Sequence, residues 1–292
     1  MRVSGFAQEG DRMQLHEGHF RSKDGRKLYY RFHEAVTPGP CLIVFHGHGE
    51  HCGRYDKFLT AIGEPALSLA AFDFRGHGQS EGPEVYIDHF QEYMDDAQAF
   101  VEFMEFRYGV RNQRILLGHS MGGLVAVYFA LRNHGQLAGL VLSSPCLGLK
   151  LPVPLVCMNT FLNSVAPAMI YSNPVYPPHL THSPQERDNY KKDKWIRRKI
   201  SVRLLAEMLS YMALLKREMT VSLDCPCFIL AAGLEKVVDL DATKAFFCKL
   251  AAPEKKLEIL DGYFHEIFNE LGQEKAFAAL KDSLNRILSS QH

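Results

Sequence analysis

The sequence lacks a surplus of either charge: Lys+Arg and Asp+Glu each number 33 in 292 residues, for a formal net charge of +0. A chain without a basic surplus offers no electrostatic footprint for nucleic acid, and no nucleic-acid partner is expected. Long hydrophobic runs are missing as well, so no helix able to span a bilayer is expected. The start, Met1 to Gln14, is polar and has no apolar core of the kind a secretory signal carries. The seven cysteines are odd in number and show no C-x-x-C spacing. That pattern argues against a disulfide framework and suits free, mostly buried thiols in a reducing compartment. A cytoplasmic protein is the expectation. Internal repeats and low-complexity tracts are absent too.

What is present is ordinary globular composition, 47% hydrophobic and 23% charged, in a length that suits one α/β core with an insertion. Phe20 to Tyr30 reads as two strands around the Asp24-Gly25 turn. Cys41-Leu42-Ile43-Val44-Phe45 is apolar throughout, as a strand buried on both faces requires. Strand-like and helix-like stretches then alternate: Arg54 to Ile62 helical, Leu67 to Phe74 extended, His89 to Tyr108 helical, Ile115 to Leu117 extended, a helix from Leu124, and Leu137 to Leu142 extended. Such alternation predicts a doubly wound, mostly parallel sheet flanked by helices. After Ser143-Ser144-Pro145 it stops. It resumes with Phe228 to Ala231 as a strand, Ala242 to Leu250 as a helix, Lys256 to Leu260 as a strand and Ala276 to Leu288 as an amphipathic helix. The expected organisation is therefore a core from 1–145 and 225–292 with an inserted cap over 146–224.

The chemistry centres on Gly118-His119-Ser120-Met121-Gly122-Gly123, between the Ile115 strand and the Leu124 helix. A serine bracketed by glycines on a strand-to-helix turn is a nucleophile elbow, because a side chain on either flank would collide with the neighbouring elements. Ser120 needs a base, and His265, just after the last strand, fits the chain order serine, acid, histidine. The acid follows the Phe228 strand: Glu235 is the first candidate, and Asp239 in the same loop is the second. For the oxyanion, the Met121 N–H at the helix start is one donor. The second is expected from the loop His46-Gly47-His48-Gly49-Glu50-His51, with the His48 N–H as candidate; one such donor is worth ~3 kcal/mol in the transition state. The same loop supports a rival reading, a metal-dependent hydrolase using His46, His48, Glu50 and His51. A non-enzymatic binding protein with a decayed acid position is the other alternative. Asp73-Phe74-Arg75-Gly76-His77-Gly78 reads as a scaffolding turn.

Together the motifs His46-Gly47-His48-Gly49-Glu50-His51, Arg54-Tyr55, Asp73 to Gly78, Gly118 to Gly123 and His265-Glu266 resemble the α/β-hydrolase branch of monoacylglycerol lipases and bacterial lysophospholipases. The resemblance runs from about Gly18 to the C-terminal helix. It implies the α/β-hydrolase fold with a helical cap, and a serine esterase acting on single-chain lipid esters with no cofactor and no metal. By the same resemblance Ser120 is the nucleophile, His265 the base, Glu235 the acid, and His48 and Met121 the oxyanion donors. Tyr190 of the cap, with Glu50 and Arg54, is implied in binding the polar head of the substrate. The sequence departs from the family at Glu235, where aspartate is usual, at His48, where a small residue is usual, and at Lys194, which replaces a proline. Phe268 stands where animal monoacylglycerol lipases have a second histidine. The apolar cap segment, Leu147 to Ile170, suits an acyl tunnel or a transient, peripheral contact with a membrane surface.

Overall fold

A computed structural model describes residues 13–64, 66–111, 113–172 and 177–290; most of the polar start lies outside them. Strands β1 (Gln14–Arg21) and β2 (Lys27–Glu34) form the expected hairpin, with Gly25 at φ 87° in its turn. The β3 (Cys41–Phe45), β4 (Ser68–Phe72), β5 (Arg114–His119), β6 (Gly139–Ser143) and β7 (Cys227–Ala232) strands are buried along their whole length, and β8 (Lys255–Leu260) borders them. The sheet order is β1-β2-β4-β3-β5-β6-β7-β8. From β4 to β8 every neighbouring pair is parallel, while β2 runs antiparallel to both β1 and β4.

Both faces of this sheet are covered, which is why its central strands carry no polar alternation. On β3, Cys41, Ile43 and Phe45 face a layer containing α2 (Gln91–Tyr108) and α3 (Met121–Arg132), whereas Leu42 and Val44 face α1 (Lys57–Ile62) and α8 (Glu274–Ser289). The Arg54 to Ile62 stretch is split: a single 3₁₀ turn, Cys52–Tyr55, precedes α1.

Between β6 and β7 the chain builds α4 (Val153–Val165), an antiparallel ribbon of Ile170–Ser172 with Lys199–Ser201, α5 (Pro184–Lys192) and α6 (Val202–Arg217). Side chains supply the missing helix-end partners: Ser183 accepts from the Glu186 N–H at the start of α5 and Ser201 from the Leu204 N–H at the start of α6. After β7, α7 (Leu240–Lys249) leads back to β8.

Candidate active site

Ser120 sits between β5 and α3 with φ 52° and ψ −119°, a conformation that costs energy for any residue with a side chain. It is held there by its surroundings. The Ser120 N–H donates to Ser143 O at 3.1 Å, and Ser120 O accepts from Gly123 N at 2.9 Å and Cys146 N at 2.9 Å. The glycines are there for space: a Cβ on Gly122 would lie 2.1 Å from Phe45 O, and one on Gly118 would lie 2.6 Å from Gly122 O.

His265 follows β8 and lines the same small cavity as Ser120, with a volume of about 40 Å³. Its Nδ1–H donates to Glu235 Oε2 at 2.9 Å, and both side chains are buried. The other carboxylate oxygen, Glu235 Oε1, accepts from the Val237 N–H at 2.7 Å and the Val238 N–H at 3.2 Å. Burial works to raise the Glu235 pKa, but the imidazole and these amides outweigh it and hold the carboxyl below its ordinary value. For His265 burial works in the opposite direction, and the Glu235 charge and hydrogen bond prevail, lifting its pKa above the usual imidazole value. Asp239, the other acid candidate, is occupied elsewhere: it caps α7 by accepting from the Asp241 N–H and pairs with Lys150 at 3.2 Å.

The loop after β3 folds back on itself, with Glu50 N–H donating to Gly47 O at 3.2 Å and Gly47 N–H donating to Glu50 Oε2 at 3.0 Å. His48 lies between these two residues. Its Nε2–H donates to Lys199 O of the two-stranded ribbon at 2.9 Å, while Nδ1 is buried without a hydrogen-bond partner. Burial lowers its pKa to about 4, so the ring is neutral at physiological pH. Met121 is the first residue of α3, where backbone N–H groups have no intrahelical acceptor and the helix dipole favours negative charge.

The head-group candidates converge on one network. Glu50 and Tyr190 line the cavity shared by Ser120 and His265, and Arg54 lines an adjoining one of about 20 Å³. Arg54 is clamped by two carboxylates: its guanidinium bonds Glu266 through Nη1 at 2.9 Å and Nη2 at 2.7 Å, and also pairs with Glu50. It lies 5.5 Å from the Tyr190 ring centroid. Tyr55 donates to Glu50 Oε2 at 2.8 Å. Glu266 is the residue that sequence reasoning left without a role; its only signal was its place beside His265.

The loop's remaining histidines are also committed. His46 Nε2 accepts the Phe74 N–H at 3.0 Å while its Nδ1–H donates to Gly47 O at 2.7 Å, and His51 pairs with Asp193 after α5 at 2.8 Å. Among the described residues no group of three His, Cys, Asp or Glu side chains is arranged to hold a metal ion. Asp73 braces its neighbours, accepting from the Cys52 N–H at 2.7 Å and the Gln79 N–H at 2.8 Å.

Ser120 also bounds a larger cavity of about 400 Å³. His48 and Val237 join Ser120 in bounding both it and the small cavity. Its remaining walls are mostly apolar, among them Cys146, Leu151, Leu155, Ile200, Leu205 and Met208.

Eight strands in this order, a strained serine at the β5–α3 turn and a buried histidine–carboxylate pair beside it define an α/β hydrolase. The chain belongs to the family described as serine aminopeptidase, S33, whose sequence model matches residues 37–272. It is 30% identical over 252 residues to phospholipase YtpA of Bacillus subtilis, covering 85% of this chain and 96% of that one. It is also 30% identical over 260 residues to the human monoglyceride lipase, covering 87% and 84%. A longer relative, the uncharacterized protein YnbC of Escherichia coli, is 27% identical over 280 residues; these cover 94% of this chain and 48% of YnbC. Among solved structures, the monoacylglycerol lipase of Paleococcus ferrophilus superposes with a TM-score of 0.77 at 25% identity, over 89% of this chain and 99% of that one. The likeness to this branch read from the motifs therefore holds.

Proposed function

We propose that the protein is a serine esterase that hydrolyses single-chain lipid esters, monoacylglycerols or lysophospholipids, through an acyl-enzyme. Ser120 Oγ attacks the ester carbonyl carbon and its proton passes to His265 Nε2, the nitrogen left free when Nδ1–H bonds Glu235. The oxyanion accepts from the Met121 and His48 N–H groups. As the C–O bond to the alcohol breaks, the departing oxygen takes the proton from His265. Water then repeats the sequence on the acyl-enzyme, releasing the fatty acid and restoring Ser120. No cofactor enters any step.

The observation that carries this reading is the 2.9 Å bond from His265 to Glu235 in a cavity that Ser120 also lines. Relatives named monoglyceride lipase and phospholipase support the lipid substrate, as does the mostly apolar cavity of about 400 Å³ that Ser120 bounds. In that cavity each buried methylene of an acyl chain contributes about 0.8 kcal/mol. The polar head then meets Glu50, Tyr190 and the Arg54 network. The exposed apolar side chains of α4 suit transient contact with a membrane surface, where such substrates reside. Ser120→Ala is expected to abolish turnover of p-nitrophenyl octanoate with the fold intact by circular dichroism; turnover at the wild-type rate overturns the assignment.

A further inference from the structure

Beyond the acyl cavity lies a second, open recess of about 380 Å³, walled by Leu209, Met212, Ala245 and Phe246 and edged by Lys216, Asp239, Asp241 and Lys249. Leu149 bounds both chambers. Two segments run along the pair in sequence. On α6, Leu205 and Met208 bound the inner chamber and Leu209 and Met212 the outer; in the loop before α7, Val237 and Val238 bound the inner and Asp239 the outer. Walls that pass from one chamber to the next within a helical turn or a single residue set the two end to end. At 1.5 Å of rise per residue, the stretch of α6 from Leu205 to Lys216 carries them over about 16 Å.

The backbone just before Leu149 is bonded to the start of α7, and the exposed side chain of Lys150 just after it reaches the same helix end. Gly148 O accepts from the Asp239 N–H at 2.8 Å, and Lys150 pairs with Asp239 at 3.2 Å and Asp241 at 3.1 Å. A Cβ on Gly148 would lie 2.6 Å from Ala242 Cβ, so this contact has no slack. Leu149 is the residue common to both linings, and rotation between staggered rotamers moves its side chain without moving the backbone.

We propose that the two chambers form one channel for long, unbranched acyl chains, with Leu149 as the partition that sets chain-length preference. Short chains end at Leu149. Longer ones turn it aside and bury their distal methylenes between α6 and α7. This inference rests on the reading of Ser120 as the centre of a lipid-ester site, and its test separates the two. Ala245→Trp fills the outer chamber at a residue that does not bound the inner one. It should lower the palmitate-to-octanoate ratio of kcat/KM for p-nitrophenyl esters by about tenfold, the equivalent of roughly two lost methylene contacts. Leu149→Ala should raise that ratio. Binding of cis-parinarate, a fluorescent long-chain fatty acid, to each variant gives a readout independent of turnover, and Ala245→Trp should weaken it. An unchanged ratio and unchanged binding in both variants, with octanoate still hydrolysed, overturns the channel and leaves the esterase standing. No ester turnover in the wild type, with binding still weakened by Ala245→Trp, overturns the esterase and keeps the channel.

Discussion

At the scale of single residues the account turns on which carboxylate serves His265. Glu235 and Asp239 lie in one loop after β7, and residue type alone does not separate them; their surroundings do. Glu235 reaches Nδ1 of the imidazole, whereas Asp239 caps α7. Replacing Glu235 with glutamine is expected to lower kcat by about 10²–10⁴-fold, because an amide neither fixes the tautomer nor stabilises the imidazolium. The change also has a pH signature. The Glu235 charge opposes burial and lifts the His265 pKa, and the base works only when neutral, so kcat/KM rises with pH through that elevated value. Without the charge the pKa falls, and the acid limb of the profile should move to lower pH. Asp239→Asn keeps a good capping residue and should cost under about 1 kcal/mol of stability, with little effect on turnover. Equal losses from the two variants would contradict this assignment.

At the scale of elements, much of the core was legible because its strands are buried on both faces and read as unbroken apolar runs. The Gly118-x-Ser120-x-Gly122 turn was legible because packing leaves room for no other spacing of side chains. Gly122→Ala places a methyl group against Phe45 O and His46 O; it should destabilise the fold by about 1–3 kcal/mol and reduce soluble activity, as thermal melts and turnover would report. The cap was harder. Its three-residue ribbon strands are too short to show a period, and Lys199 O acquires a role only through His48. The Arg54–Glu266 clamp joins residues 212 positions apart, a pairing that no local pattern encodes. The apolar segment from Leu147 to Ile170 carried one composition but has two destinations: Leu149, Leu151 and Leu155 turn to the cavity, while Val153, Phe161 and Val165 are 73%, 66% and 63% exposed.

At the scale of the whole molecule, that exposed face of α4 lies in the segment between β6 and β7, other residues of which bound the cavity of about 400 Å³. Among the described residues no helix is long and apolar enough to cross a membrane, so the proposed contact is one of surface docking. The double variant Phe161→Asp/Val165→Asp should weaken cosedimentation with phosphatidylcholine vesicles while sparing hydrolysis of a soluble short-chain ester. Unchanged sedimentation would remove the membrane from the account. The central claim reaches further: the proposal makes one hydroxyl, that of Ser120, reactive. Its most direct measurement is intact and peptide mass spectrometry after exposure to a fluorophosphonate probe. The account predicts a single adduct on Ser120, unaffected by EDTA and absent from Ser120→Ala; a chain that hydrolyses lipid esters yet takes no label at Ser120 would contradict it.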